Sequence, residues 1–377
     1  MRTGLFFDNY TKFLASFSLL TTYLEKNKEC IRRLAEELFS DVKIFFTGTG
    51  RSGQVALRAM KNFEEGLGRE AYYSGYGYGK AEEGDMLIAV SGSGRTKTTL
   101  EHVMIAKNNR MKVATLTYSP EADIAQKSDI VITLPGRVAG EKEIRDFYER
   151  QIKGEYLPLQ VLGSIFEISS LAFVDAFSYA FSRYRRKDRF PWGKLRNKIY
   201  GTFSYLGEAG CMLEKQREKI RNLIKKLEDV EGEICLTGFR YTTEIAEMGA
   251  IRLNHAIYKP GKRARVLDSR TFPVKIKEGL LIAISGSGKS WFTNRVAREF
   301  KGKGIDVIAL TYGKNSSLYR MVGEENSIIF PRGKRYLLKN GYVLRDFEIG
   351  AAIFLDCLAI SLGRSEEEMR KVHSIFG

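Results

Sequence analysis

Residues 84–97 read GDMLIAVSGSGRTK, and residues 278–291 read EGLLIAISGSGKSW. Each is a short apolar run that stops at a Ser/Gly turn and continues into a polar stretch. That is the profile of a buried strand, a tight turn and a helix start. The offset of 194 residues between them also carries Thr117-Tyr118 onto Thr311-Tyr312. Upstream, LEKNKECIRRLAEELFSDVKIFFTG at 24–48 is answered by LEKQREKIRNLIKKLEDVEGEICLTG at 213–238, starting at an offset of 189. Downstream, Phe166-Glu167-Ile168 answers Phe347-Glu348-Ile349 and Asp175 answers Asp356, both at an offset of 181. The chain is written twice. Leu134-Pro135 still answers Phe330-Pro331 at 196, so the first copy carries 15 extra residues, around 139–156.

Within each copy, short apolar segments alternate with helical ones. Strands are expected at 44–47, 86–90, 113–117 and 130–134, a single amphipathic helix over 24–38 and another over 213–227. Long apolar helices close the copies at about 163–182 and 345–362. This alternation predicts an α/β fold with two doubly wound parallel sheets, each a flavodoxin-like three-layer αβα unit, related by duplication. The expected domains are 1–185 and 186–377. Ligands of such sheets sit at the carboxyl ends of the strands, where both SGSG turns fall. Paired copies are expected to pack about a pseudo-two-fold axis and to build sites from both halves.

The composition fits that picture. The chain has 377 residues, 44% hydrophobic and 28% charged, which excludes disordered, collagen-like and coiled-coil classes. No apolar run approaches the roughly 20 residues of a membrane span, and Asp8 interrupts any signal-peptide core. A cytoplasmic protein that does not engage membranes is expected. Cys30, Cys211, Cys235 and Cys357 are scattered, no CxxC pair occurs, and there are only three histidines. Neither a metal site nor a disulfide framework is expected, and no cofactor. The net charge of +16 favours anionic partners. The densest basic run, at 183–189, reads as a solvated linker, so nucleic acid is not the favoured partner.

The turn after 86–90 is suited to an anion. A helix start leaves backbone N–H groups unpaired and carries partial positive charge. Gly92 lets an anion approach, and Ser91, Ser93 and Thr96 add hydroxyls. Ser285, Gly286, Ser287 and Ser290 repeat the set. The reading requires Ser91 and Ser285 to be open to the turn and not sealed in the core. Ala283 to Ser290 also fits a loosened nucleotide P-loop. Against that, copy one has Arg95 in place of Lys289, and no aspartate follows the strand ending at Thr311 to help hold magnesium. The turn Thr47-Gly48-Thr49-Gly50-Arg51-Ser52-Gly53 resembles half a dinucleotide fingerprint. No acidic residue closes the next strand near 71–73, where a ribose-binding carboxylate would be wanted, so Gly48, Arg51 and Ser52 read as groups beside an anionic or hydroxylated ligand. Copy two has Phe239-Arg240-Tyr241 there, with Arg240 as the candidate.

In combination, GTGRSG, SGSGRT and the closing LGSIFEISSLAFVDAF resemble the sugar isomerase (SIS) domain. Copy one is most similar to 6-phospho-3-hexuloisomerases, and the closing stretch 365–373 resembles their C-terminal segment. The resemblance implies a phosphorylated sugar as ligand and aldose–ketose isomerisation through an enediol. It assigns Glu167 as the base, Glu348 as its repeat partner and His373 as a proton shuttle. The segment 247–255 resembles the helix bearing a catalytic glutamate in glucosamine-6-phosphate synthase, with His255 where that glutamate stands. Bland readings stand beside these: Glu167 and Glu348 as salt-bridged structural carboxylates, His373 as a frayed end and His102 as a surface residue. The fused chain looks like a covalent homodimer, and its own dimerisation would give four SIS units. Three other functions remain open: a non-catalytic phosphosugar sensor, an aminosugar-phosphate deaminase or isomerase, and, on charge alone, a nucleic-acid binder.

Overall fold

The computed structural model describes residues 2–76, 79–136, 162–185, 188–256, 262–273 and 275–363. The first sheet holds β1 (Ile44–Gly48), β2 (Ala71–Tyr73), β3 (Met86–Val90), β4 (Lys112–Thr117) and β5 (Ile130–Thr133), in the order β2-β1-β3-β4-β5. The second holds β6 (Glu233–Thr237), β7 (Ala264–Leu267), β8 (Gly279–Ile284), β9 (Asp306–Thr311) and β10 (Ser327–Ile329), in the matching order β7-β6-β8-β9-β10. Every pairing in both is parallel. Parallel strands need crossover helices, which cover both faces. That is why Met86–Val90 is buried along its whole length and reads as an unbroken apolar run. The chain thus forms the two doubly wound parallel sheets expected of a duplication. Copy two also holds a two-stranded antiparallel hairpin, β11 (Arg335–Leu337) and β12 (Val343–Arg345).

The helices are α1 (Arg2–Lys26), α2 (Lys28–Glu37), α3 (Gly50–Lys61), α4 (Lys97–Asn108), α5 (Asp123–Gln126), α6 (Leu162–Phe181), α7 (Trp192–Glu214), α8 (Arg217–Asp229), α9 (Tyr241–Ala256), α10 (Trp291–Gly302), α11 (Ser317–Val322) and α12 (Asp346–Leu362). Four of them join the halves. α3 packs on β1, α9 packs on β6, and α3, α6, α9 and α12 pack on one another. Every residue of α12 is buried, and each large apolar side chain taken out of water contributes about 1.5–3 kcal/mol. The stretch Ser164–Phe181 is long and apolar enough to cross a membrane, yet 89% of it is buried inside the protein. Its apolarity serves this central layer. The lead helices cross over: α1 lies against α12, and α7 against α6. Phe6 meets Phe354 edge-on at 5.2 Å.

One expectation needs correcting. Residues 24–38 and 213–227 are not single helices; each breaks, at Asn27 and at Gln216. The reason is a side-chain amide spent on the sheet edge. Asn27 Nδ2 donates to the Thr133 carbonyl at 2.8 Å and its Oδ1 accepts from Thr133 N at 2.9 Å. Gln216 does the same with Ile329, at 2.7 and 2.8 Å. Each amide pairs backbone groups that an edge strand would leave open.

Candidate functional site

In both sheets the strand order reverses direction beside β1 or β6, and the crevice there is where an open parallel sheet takes ligands. Two turns meet at the first crevice. In the turn after β3, Gly94 has φ +63°, as does Gly288 in copy two, so the two turns share one backbone shape. Ser93 Oγ accepts from Arg95 N at 3.3 Å, and Ser287 Oγ accepts from Lys289 N at the same distance. Thr96 and Ser290 are the N-caps of α4 and α10, yet neither hydroxyl makes a capping bond. The first-turn N–H groups are therefore not satisfied by the residues best placed to do so. A Cβ on Gly92 would lie 2.9 Å from the Phe166 and Tyr118 rings, and one on Gly286 would lie 2.6 Å from Tyr312 and 3.0 Å from Phe347. Phe166 and Phe347 immediately precede Glu167 and Glu348, so each turn packs against the helix that carries the carboxylate.

Ser91 and Ser285 depart from expectation. They are only 2% and 4% exposed. Each still belongs to the ladder: Ser91 N donates to the Leu116 carbonyl at 3.1 Å, and Ser285 N to that of Leu310 at 3.0 Å. Ser91 Oγ faces Thr96 Oγ1 at 3.3 Å. The first serine of each turn is its floor, sealed by the strand it ends, so the requirement set from sequence fails for both and neither hydroxyl can serve an anion; an anion reading is left with the residues beyond them. Gly92, Ser93 and Thr96, and likewise Gly286, Ser287 and Ser290, keep access to solvent.

The turn after β1 comes close. A Cβ on Gly48 would sit 2.8 Å from the Ser52 carbonyl and 3.0 Å from that of Val90. Thr49 Oγ1 lies 3.2 Å from Thr99 Oγ1 on α4, and Ser52 is partly exposed. His102, expected on the surface, is half-buried, its Nδ1 2.7 Å from Thr47 Oγ1. In copy two, Arg240 is exposed with φ +56°, a left-handed conformation uncommon for a side-chain-bearing residue.

Behind these turns the four central helices each contribute to one cluster. Arg51 of α3 is 8% exposed. Its Nη1 donates to Ser164 Oγ of α6 and its Nη2 to Asp356 Oδ2 of α12, both at 2.6 Å. Glu167 Oε2, also on α6, lies 3.9 Å from Arg51 Nη1 and has no hydrogen-bond partner. Arg252 of α9 approaches Asp356 Oδ1 at 3.8 Å. Burial pushes the Glu167 carboxyl above its ordinary range, with Arg51 opposing. Burial also lowers Arg252 to about 10, against the pull of Asp356. His255 is exposed at the end of α9. Partial desolvation, then the fields of Arg252 and Arg51, press its imidazole below the usual range. The cluster joins Arg51 and Glu167 of copy one to Arg252 and Asp356 of copy two, with His255 three residues beyond Arg252 on α9. His373 lies outside the described residues, as does the stretch 139–156.

The counterpart in copy two differs. Tyr241 stands where Arg51 does, its ring 3.9 Å from the Arg58 guanidinium and 4.1 Å from the Tyr342 ring. Arg58 is fully buried and held by both oxygens of Asp175, at 3.0 and 2.8 Å. Glu348 is 3% exposed, with one oxygen unpartnered. Burial raises its carboxyl to about 7, with Arg58 and Arg345 opposing. Phe239 replaces Thr49 and packs against Trp291 at 5.9 Å. The hairpin also closes on copy one, Asn340 N donating to the Gly66 carbonyl at 3.1 Å. Copy two therefore keeps the carboxylate and the turn but fills the place of Arg51 with an edge-to-face pair of tyrosines.

Asp356, Ser164 and Arg252 were not among the residues singled out from sequence. The only signal for them was Asp175 matching Asp356 in the repeat, and it does not say that Asp356 reaches into the other copy.

An SIS domain model matches residues 37–139. The chain is 35% identical over 146 residues to a 3-hexulose-6-phosphate isomerase of Bacillus subtilis, spanning 38% of this chain and 72% of that protein. It is 37% identical over 140 residues to a protein of Aeropyrum pernix, covering 37% of this chain and 65% of that relative, just under two thirds of its length. Tagatose-6-phosphate ketose/aldose isomerase from Escherichia coli superposes with a TM-score of 0.60 at 13% identity, over 99% of this chain and 93% of that one. At that identity the likeness speaks for the fold alone.

Proposed function

The chain belongs to the SIS domain family, and from that premise we propose that its first copy binds a phosphorylated sugar and interconverts the aldose and ketose forms. The phosphate ester is held at the mouth of the turn by Gly92, Ser93 and Thr96 and the first N–H groups of α4. Glu167 takes the proton from the carbon next to the carbonyl, giving an enediol, and returns it to the neighbouring carbon. His255 of copy two, or His373, moves the proton between the two oxygens. No redox partner is consumed, since the hydrogen lost at one carbon is regained at the next.

The observation that carries this reading is the Glu167 carboxylate: largely buried, one oxygen unpartnered among the described residues, its affinity for protons raised, on the helix whose Phe166 packs against a turn with no side-chain cap. A base needs that combination, because an oxygen committed to a salt bridge cannot accept a proton. The name of the Bacillus subtilis relative makes 3-hexulose 6-phosphate the first substrate to try. A coupled assay is expected to show turnover that Glu167→Gln lowers at least a hundredfold, with inorganic phosphate still bound. Binding of the ester with no turnover by the unaltered protein would move the assignment to a sensor.

A further inference from the structure

Among the described residues, the cation paired with Glu167 is Arg51, and three groups compete for it. From α12 of copy two, Asp356 takes Nη2 at 2.6 Å; from α6, Ser164 takes Nη1 at 2.6 Å; Glu167 is left at 3.9 Å from Nη1. An Arg–carboxylate pair is strongest when both N–H groups meet both oxygens in a fork. Arg58 and Asp175 form such a fork one helical layer away. Arg51 does not form it with Glu167: its Nη1 and Nη2 are turned to Ser164 and Asp356, and Glu167 stays beyond hydrogen-bond reach. Asp356 also faces Arg252 from α9 at 3.8 Å, so the second cation near Glu167 has the same competitor. The groups acting on Glu167 are thus Arg51 from α3, Arg252 from α9 and Asp356 from α12.

We propose that Asp356, supplied by copy two, is a positioning residue for Glu167 of copy one: by gripping Arg51 it holds that cation short of a direct pair and leaves a carboxylate oxygen free to take up a proton. Duplication then has a purpose at this site that a single copy could not serve, since the residue freeing the base comes from the other half of the chain. The second site does not repeat the device, because Tyr241 stands where Arg51 would be. The role rests on the reading of Glu167 as the base.

The test separates the two claims by observing Glu167 directly. The full chain is labelled with 13C at the glutamate Cδ, and its carboxyl resonances are followed from pH 3 to 9, with Glu167→Gln assigning the signal. In the unaltered protein Glu167 is expected to titrate above the ordinary carboxylate range. In Asp356→Asn, Arg51 turns to Glu167 and the midpoint is expected to fall by at least one pH unit. Ser164→Ala frees the other nitrogen and should lower it by less; this variant reports alone if Asp356→Asn does not fold. An unchanged midpoint in folded Asp356→Asn overturns the proposal, and so does an equal fall when Asp356→Asn is made in an Arg51→Met background, where only the lost charge of Asp356 can act; where Asp356→Asn does not fold, an unchanged midpoint in Ser164→Ala overturns it. A lowered midpoint in a protein that binds sugar phosphates and turns over none of a panel of aldose and ketose phosphates upholds the positioning role and overturns the isomerase reading.

Discussion

Glu348 offers the sharpest energetic test, because its burial has a sign opposite to that of most protein carboxylates. Its side chain is 3% exposed, one oxygen has no partner, and burial lifts its carboxyl from 4.5 to about 7. The folded protein therefore holds this proton more tightly than the unfolded chain does. Stability must fall as pH rises from 4.5 to 7 and stay reduced above that window. At 1.36 kcal/mol per pH unit, the ionised carboxylate costs the fold about 3 kcal/mol at pH 8. Glu348→Gln removes the ionisation and keeps the shape. Urea unfolding should find the variant close to the unaltered protein at pH 4.5 and more stable by about 3 kcal/mol at pH 8. The comparison is the variant minus the unaltered protein at each pH, so other titrating groups cancel. A variant less stable at pH 8 than the unaltered protein would refute the reasoning, marking Glu348 as ionised and paired with Arg58 or Arg345.

Other consequences are equally direct. Asp175→Asn leaves Arg58 fully buried without its charge partner; unfolding measurements should show a loss of about 3–5 kcal/mol, and a loss below about 1 kcal/mol would deny that the pair is desolvated. Gln216→Ala removes both bonds to Ile329 and should cost about 1–3 kcal/mol by urea unfolding, with aggregation on heating as the β10 edge opens; unchanged behaviour in both respects would mean the amide does not protect that edge. Gly92→Ala puts a methyl 2.9 Å from Phe166 and Tyr118. Inorganic phosphate should then protect the folded variant from thermal unfolding at least tenfold less well by concentration, whereas equal protection would place the anion elsewhere.

Much of the architecture was legible because duplication and burial leave strong marks. Strands covered on both faces become apolar runs such as 86–90 and 280–284, and their repetition identified both sheets. The helix breaks at Asn27 and Gln216 left no such mark: the amphipathic period runs straight through them, and only a partner on the sheet edge explains the change of direction. The turns and Glu167 could be found from residue types and order. The burial of Ser91 could not, since a serine ending a strand and a serine opening a turn are the same letter. Arg51 was placed beside a ligand from its neighbours in the chain. Its bonds to Ser164 and Asp356 link residues 113 and 305 positions away, and no local pattern encodes them. Tyr241 in the place of Arg51 could be read as a departure in copy two; that its ring lies against the Arg58 guanidinium and edge-on to Tyr342 could not.

The central claim is that the first copy holds a sugar phosphate with its reacting carbon against Glu167. A crystal of the full chain soaked with a 6-phosphoketose tests it most directly. The account predicts the ester at Gly92, Ser93 and Thr96 and a sugar carbon about 3–3.5 Å from the Glu167 carboxylate. Density for the ester only at the turn 285–290, or at neither turn, would contradict it.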